Sequence, residues 1–425
     1  MKTPLSFPSR AMVTWLCCLA AVGAGTAFSQ EWTRFRGPNG HGIGDAKGMP
    51  AEFGTQDYEW IVELPGTGHS SPVLWGEKLF LTVNAKEGAE RKVMCLDSTN
   101  GSTLWEWSQP FTEHAKNKLN DFASSTPVVD EKAIYLTWTS GEETQALALD
   151  HSGKELWRTS WKGFTSDHGS AASPILSEGV LIIHTDAKDE RHSFIYGLNP
   201  ADGSEVWSRE RITPPGNDKH LTAYSTPVEV KSGDRNTVAL LSTNHGWLGL
   251  DPKNGEIAWS YPEVYGFRSV GSILEFDGNL FATLGSGGGG KQSAALHPNG
   301  TDKPDLLYSL GKTDLLSYVP TPLFHDGLLF LCGDGGVIAC RDAKTGEKFY
   351  EERAAKGQFF SSPVLVDGKI YFGSRDGLML VIAATREFKV LAENRLGSGL
   401  NATPAIANGR MFIRTDTHLM SLKGK

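Results

Sequence analysis

The chain has 425 residues, 39% hydrophobic and 21% charged, with 41 Lys and Arg against 49 Asp and Glu. A formal charge of −8 leaves no electrostatic footprint for nucleic acid or an anionic membrane surface. The 48 glycines and 10% aromatic residues suit many tight turns with flat side chains packed between sheets, and nothing signals disorder or a collagen repeat.

The first element in chain order reads as a secretory leader. Lys2 and Arg10 are basic, and Ala11 to Val22 is apolar but too short for a comfortable membrane span. Small residues at Ala27 and Ser29 predict cleavage before Gln30, which makes residues 1–29 a signal peptide and the mature chain periplasmic or extracellular. Cys17 and Cys18 follow Leu16 and Cys17, not the small residue of a lipoprotein signal. No later segment is apolar for long enough to span a bilayer, so no transmembrane segment is expected. Loss of Lys2 and Arg10 leaves 39 basic residues against 49 acidic ones, a balance of −10. Cys95, Cys332 and Cys340 remain, an odd count that is not a disulfide framework, and no C-x-x-C offers a zinc ribbon or a haem attachment. Three unpaired thiols are expected. A two-residue turn at Gly335-Gly336 would pair Cys332 with Ala339 and send Cys340 to the other sheet face.

From residue 71 a phrase repeats: Ser or Thr, then Pro, then a short apolar strand. It occurs at Ser71-Pro72, Thr126-Pro127, Ser173-Pro174, Thr226-Pro227, Thr321-Pro322, Ser362-Pro363 and Thr403-Pro404, with prolines 55, 47, 53, 95, 41 and 41 positions apart. The long gap is about two periods, and Ser272-Ile273 near its middle carries the phrase without its Pro. Such a period, with several strands per unit, reads as a β-propeller. In the unit after Ser362-Pro363, Val364 to Val366 is the first strand. Asp367-Gly368-Lys369 turns into the second, Ile370 to Gly373, and Arg375-Asp376-Gly377 turns into the third. The eighth unit has only three strands before Lys425, and Tyr58 to Leu64 is expected to supply its fourth, closing the ring and removing exposed edges. The expected fold is therefore all-β: an eight-bladed β-propeller of four-stranded blades over residues 58–425, with 30–57 as an N-terminal extension packing on it. Seven blades is the alternative count.

A second signature ends the third strand. A small residue is followed by an acid or amide two on, Gly six on and an aromatic ten on: Cys95, Asp97, Gly101 and Trp105; Gly197, Asn199, Gly203 and Trp207; Gly249, Asp251, Gly255 and Trp259; Cys340, Asp342, Gly346 and Tyr350. A version one residue shorter ends in Trp157, Trp60 would serve the closing strand, and units five and seven lack the pattern. The acid or amide can bond the turn it opens, Gly supplies a positive φ there, and the aromatic docks between neighbouring blades. This pattern resembles the tryptophan-docking repeat of pyrroloquinoline-quinone (PQQ) type propellers. Those include quinoprotein alcohol dehydrogenases and the propeller of the outer-membrane barrel-assembly machinery. The resemblance covers roughly residues 58–422. Residues Trp32 to Gly42 also resemble the start of secreted bacterial members.

Few motifs carry chemistry. Gly285 to Lys291 mimics a phosphate loop, but Gln292 stands where Ser or Thr should bind magnesium, and its place between second and third strands makes it a hairpin loop. The twelve His show no metal-ligand spacing, so no metal is expected. His69, His168 and His220 recur just upstream of the Ser/Thr-Pro phrase, Arg268, Tyr318 and Gln358 precede the first strands of units five to seven, and His245 and Arg375 lie in hairpin turns. Interblade loops emerge on the same face as the turns between second and third strands. These eight residues are therefore the ligand-face candidates at one mouth of the channel. No G-x-S-x-G occurs, and no catalytic residue is assigned.

The favoured reading is a secreted, non-catalytic, monomeric propeller. It acts as a binding or protein-interaction scaffold through that face, with another protein or an envelope component as partner and no cofactor. Two alternatives stay open. The resemblance implies a quinoprotein oxidoreductase using PQQ and calcium. Those enzymes often close a ring of adjacent cysteines over the quinone, whereas the adjacent pair here, Cys17-Cys18, lies in the leader, and the blades are compact. A glycan-binding or glycan-cleaving propeller would use aromatic and carboxylate residues on the channel face.

Overall fold

Each repeat folds as a four-stranded antiparallel meander. Eight of them form a ring in the computed structural model, which describes residue 1 and residues 31–425 apart from 86–88, 165, 167, 188–192, 212–221 and 264. Blades 1 to 7 span residues 73–110, 128–162, 175–211, 228–261, 274–308, 323–353 and 364–395. Blade 8 joins 405–423 to the N-terminal strand Tyr58–Glu63, which pairs antiparallel with His418–Lys423, Trp60 opposite Ser421 and Glu63 opposite His418. The eight-bladed ring closed by an N-terminal strand is thus as the repeat pattern requires. No helix among the described residues is long and apolar enough to cross a membrane. His220 and the expected leader beyond residue 1 lie outside the described residues.

The repeated Ser/Thr has a mechanical role. Its backbone amide donates to the hydroxyl of the next blade's Ser or Thr: Ser71 to Thr126, Thr126 to Ser173, Thr226 to Ser272, Ser272 to Thr321, Thr321 to Ser362, Ser362 to Thr403 and Thr403 back to Ser71, at 2.9–3.2 Å. Pro follows because the next position opens the innermost strand, where a missing amide hydrogen is tolerated.

Further out, the docking aromatics clamp one blade to the next. Trp60, Trp105, Trp157 and Trp207 donate from Nε1 to the carbonyls of Ser98, His151, Pro200 and Pro252. Each acceptor directly follows the acid or amide that opens the next blade's turn. The rings lie so close over Gly101, Gly153, Gly203 and Gly255 that an added Cβ would come within 2.4–2.8 Å of them. In blade 5, which lacks the sequence signature, Tyr308 takes this place, its hydroxyl donating to Ala343 O at 2.8 Å over Gly346. Trp259 is fully buried but donates to Thr237 Oγ1 of its own blade, and Tyr350 packs on Phe388 with rings 5.5 Å apart.

One local expectation holds in a tighter form and one needs correction. Strands Asn279–Ser286 and Gly289–His297 extend through the glycine run, so the expected loop is a two-residue turn with Gly287 and Gly288 at φ 60° and 79°, the handedness a tight hairpin needs. The turn after Cys332 takes three residues, closed by Gly333 N donating to Val337 O. Cys332 therefore pairs with Ile338 rather than Ala339, and Cys340 pairs with Phe330 on the same face as Cys332. Both thiols are buried in one cluster between blades 6 and 7, and all three described cysteines are free.

Residues 32–44 run along the innermost strands and plug the lower channel, and residues 49–53 then reach outward to Tyr371 and Asn394 of blade 7. Leu74 and Val129 amides donate to Trp32 O and Thr33 O, and Asn39 exchanges two hydrogen bonds with the Glu229 backbone. Ile43–Gly44 adds a parallel strand inside blade 7. Arg36, fully buried, donates from Nε, Nη1 and Nη2 to five carbonyls: Gly40, Thr321, Pro363, His41 and Pro322, at 2.9–3.2 Å.

Candidate functional site

Above this plug the channel opens into a cavity of about 680 Å³. Phe35, at the tip of the plug, and seven of the eight ring Ser/Thr residues line its base. Its wall has a simple rule. The residue two before the ring hydroxyl lines the cavity in every blade: His69, Ser124, Ala171, Tyr224, Val270, Val319, Phe360 and Asn401. The fold fixes eight backbone positions, and the sequence varies the side chain at each. The result is lopsided: blades 4 to 7 contribute Tyr, Val, Val and Phe, while blades 8 and 1 contribute Asn, His and, from blade 2, Ser.

Of the eight ligand-face candidates, His69, His168, Arg268, Tyr318 and Gln358 line this cavity. His69 is pushed down to about 4, first by burial and then by the charges of Arg414 and Arg375, against the pull of Asp121 and Asp416. His168 packs its ring edge-on against Tyr224, whose hydroxyl accepts from the His168 amide at 3.1 Å. Arg268 is fixed by a two-way backbone bridge to Gly285, which seats it beside the Gly287-Gly288 turn. Tyr318 donates its amide to Asp334 at 2.7 Å, and burial raises Asp334 to about 6 despite this bond and that from Val319.

Arg375 stands behind the wall. Its Nη1 donates to Gln358 Oε1 and its Nε to Asn401 Oδ1, and it lies 5.0 Å over the Phe360 ring, so it positions three lining residues. His245 does not reach the cavity. It sits at the blade 3–4 boundary, where Nδ1 bonds Ser242 Oγ at 3.0 Å beside the buried pair Asp186 and Arg211. The reason is radial: its turn extends outward over the neighbouring blade rather than toward the axis. Sequence reasoning missed Phe35, Tyr224, Asp334, Phe360 and Asn401. The signal for Tyr224, Phe360 and Asn401 was present, because all lie at the same offset from Ser/Thr-Pro as His69.

The residues present do not fit a calcium–quinone pair. Calcium takes six to eight oxygen ligands, carboxylates among them. Asp334 is the one carboxylate lining the cavity among the described residues, and its oxygens already accept backbone amides. No group of three or more His, Cys, Asp and Glu among the described residues could hold a metal.

The family model for outer membrane protein assembly factor BamB matches residues 89–274. None of the curated proteins matches the chain by sequence. Among solved structures, BamB from Moraxella catarrhalis is 17% identical with a TM-score of 0.59, over 85% of this chain and 98% of that one. A europium-containing methanol dehydrogenase is 13% identical with a TM-score of 0.68, over 90% and 89%. The quinohemoprotein alcohol dehydrogenase of Comamonas testosteroni is also 13% identical with a TM-score of 0.68, over 93% and 81%. Identities this low speak for the fold alone: the chain shares the propeller architecture of these proteins.

Proposed function

We propose that this chain is an exported, non-catalytic binding propeller that receives a segment of a partner protein in the blind mouth of its channel. The observation that carries the reading is the cavity itself. Its floor is closed by the protein's own N-terminal segment, its frame is a ring of eight Ser/Thr residues joined by seven amide-to-hydroxyl bonds, and its wall carries side chains of differing chemistry at one position per blade. Such a site can change specificity without disturbing the fold. The match of residues 89–274 to an outer membrane assembly factor supports a protein partner in the cell envelope. The oxidoreductase alternative draws on the fold likeness to the two dehydrogenases, but the donor set described above weighs against it.

The test is co-purification from the native host envelope with three proteins: wild type, Ala171→Trp to fill the cavity, and Glu256→Gln, an exposed residue in the outer turn of blade 4, as control. A partner retained by wild type and control but lost with Ala171→Trp supports the reading. A partner retained by all three places the interface elsewhere. Quinone absorbance in mature protein supplied with PQQ and calcium would overturn it in favour of the oxidoreductase.

A further inference from the structure

The amide and carboxylate acceptors that line the cavity are spent, and its hydroxyl protons are not. Asn120 Oδ1 accepts from Ser124 Oγ and the Asp121 amide, and Gln358 Oε1 and Asn401 Oδ1 accept from Arg375. Both Asp334 oxygens accept backbone amides. Gln358, its oxygen taken, keeps Nε2 as a donor. The seven ring residues that line the cavity are all buried. Six of their hydroxyls accept a backbone amide, and Thr226 Oγ1 accepts none. Among the described residues, none of the seven hydroxyl protons has an acceptor.

The charges behind the polar side of the wall oppose one another: Arg375 and Arg414 act on His69 against Asp121 and Asp416. Arg268, half-buried, stands at the mouth beside the Gly287-Gly288 turn, where solvent screens it. A charged group carried below that level would lose its water without gaining a counter-charge. Across from His69 the wall is apolar, with Tyr224, Val270, Val319 and Phe360. A buried donor left without an acceptor is costly, so an occupant must bring acceptors for the ring protons. It must also bring apolar surface for the opposite arc. The volume of about 680 Å³ exceeds one side chain, so the peptide groups that flank that side chain enter with it.

We infer that the cavity takes an uncharged loop of the partner protein. An aromatic or branched apolar side chain of that loop packs against Tyr224, Val270, Val319 and Phe360. Peptide carbonyls beside it accept the ring protons and the Gln358 donor. The inference rests on the binding reading above and adds to it what the segment must carry and what it must lack.

Calorimetric titration of the mature protein would use three acetylated and amidated pentapeptides, with Phe, Glu or Lys between two Gly on each side, together with benzamide and a neutral glucan hexamer. The Phe peptide should bind at least about tenfold more tightly than the other two peptides. Because no net charge drives it, that preference should persist from about 50 to about 300 mM salt. Val270→Asp should weaken the Phe peptide at least about tenfold by placing a charge in the apolar arc. Should Val270→Asp fail to fold, Val319→Asp serves in its place. Thr226→Val deletes a hydroxyl outside the seven ring bonds, so it should weaken the Phe peptide several-fold at an unchanged melting temperature. Glu or Lys peptides binding as tightly as Phe, and lost with Ala171→Trp, would overturn the uncharged anchor while leaving the binding reading intact. Benzamide binding as tightly as the Phe peptide would assign the site to free small molecules, and tighter binding of the glucan would assign it to a glycan. Either result overturns the loop. Binding of none of these probes overturns the inference, and the co-purification experiment then judges the binding reading alone.

Discussion

The backbone amide of Thr403 donates to Ser71 Oγ at 3.2 Å, across 332 positions of chain. This bond is the last step of the hydroxyl ring and joins the final blade to the first. Ser71→Ala leaves a buried amide without its acceptor, which should cost about 1–3 kcal/mol. Ser71→Thr should recover most of this, because Thr fills the same place in four other blades. Urea unfolding decides. An alanine variant as stable as wild type would mean that the ring is a by-product of blade packing.

The second clamp pairs Trp157 with Gly203. A Cβ on Gly203, whose φ is 72°, would lie 2.4 Å from the indole. Gly203→Ala should therefore cost at least about 2–3 kcal/mol, approaching the about 3–5 kcal/mol expected for Trp157→Ala. Gly409→Ala is the control: φ is 71° there, but nothing lies within 4 Å. It should cost only the left-handed strain, about 1–2 kcal/mol. The double change Trp157→Ala with Gly203→Ala should cost less than the sum, because the truncated ring leaves room for the methyl. Full additivity would break the docking account.

The propeller was legible because its repeats are governed by local rules: a hydroxyl before Pro, a Gly at a positive φ, an aromatic at a fixed distance. Blade 5 escaped because its turn is longer, so Tyr308 docks thirteen residues after Ala295 rather than ten. The cavity was half legible. Loop candidates such as His69 and Arg268 could be placed by topology alone, but His245 could not, since radial distance from the axis leaves no mark on spacing. An N-terminal extension packing on the ring was expected, but its seat in the channel was invisible for a different reason. Arg36 is satisfied by carbonyls of its own segment and of blades 6 and 7, nearly 300 or more positions away in the latter cases, and backbone acceptors have no side-chain signature.

Arg36 is the bolt of that plug. Arg36→Met removes five donated hydrogen bonds from a charged group, and a loss of about 3 kcal/mol or more is expected. Arg36→Lys should recover little, because one ammonium cannot reproduce a planar fork that faces five carbonyls. Limited proteolysis adds a readout of the segment itself: cleavage within residues 31–44 should appear in Arg36→Met before the ring unfolds. A variant that melts like wild type and resists cleavage there would refute the anchoring role.

The thiols make a sharper chemical prediction. Cys95, Cys332 and Cys340 are fully buried, and burial pushes each thiol up to about 12. The thiolate is the reactive species, so native mature protein should not react with a disulfide reagent at neutral pH. After denaturation without reductant, all three should react. Two unreactive thiols would reveal a bridge between Cys332 and Cys340, which share a sheet face.

Acid should destabilise the fold through its histidines. Burial pushes His69 down to about 4, and burial with the Arg211 charge pushes His184 and His245 down to about 3. An unfolded His titrates near about 6.5. Below that pH the unfolded chain takes up protons that these three refuse, so their stabilisation is complete above about 6.5 and is lost as pH falls toward the folded values. Asp186 and Asp334 act oppositely. Burial raises both to about 6, so the folded chain gains protons first and their contribution grows as pH falls from there. Three groups against two leave a shallow net loss between about pH 6.5 and 4.5, a window in which unfolded carboxylates stay charged. His184→Gln removes one of the three, although its Nε2 bond to Ser225 O at 2.9 Å makes some loss of stability at every pH unavoidable. The slope of melting temperature against pH should nonetheless flatten to near zero. A slope equal to that of wild type would mean that His184 is already charged in the native protein.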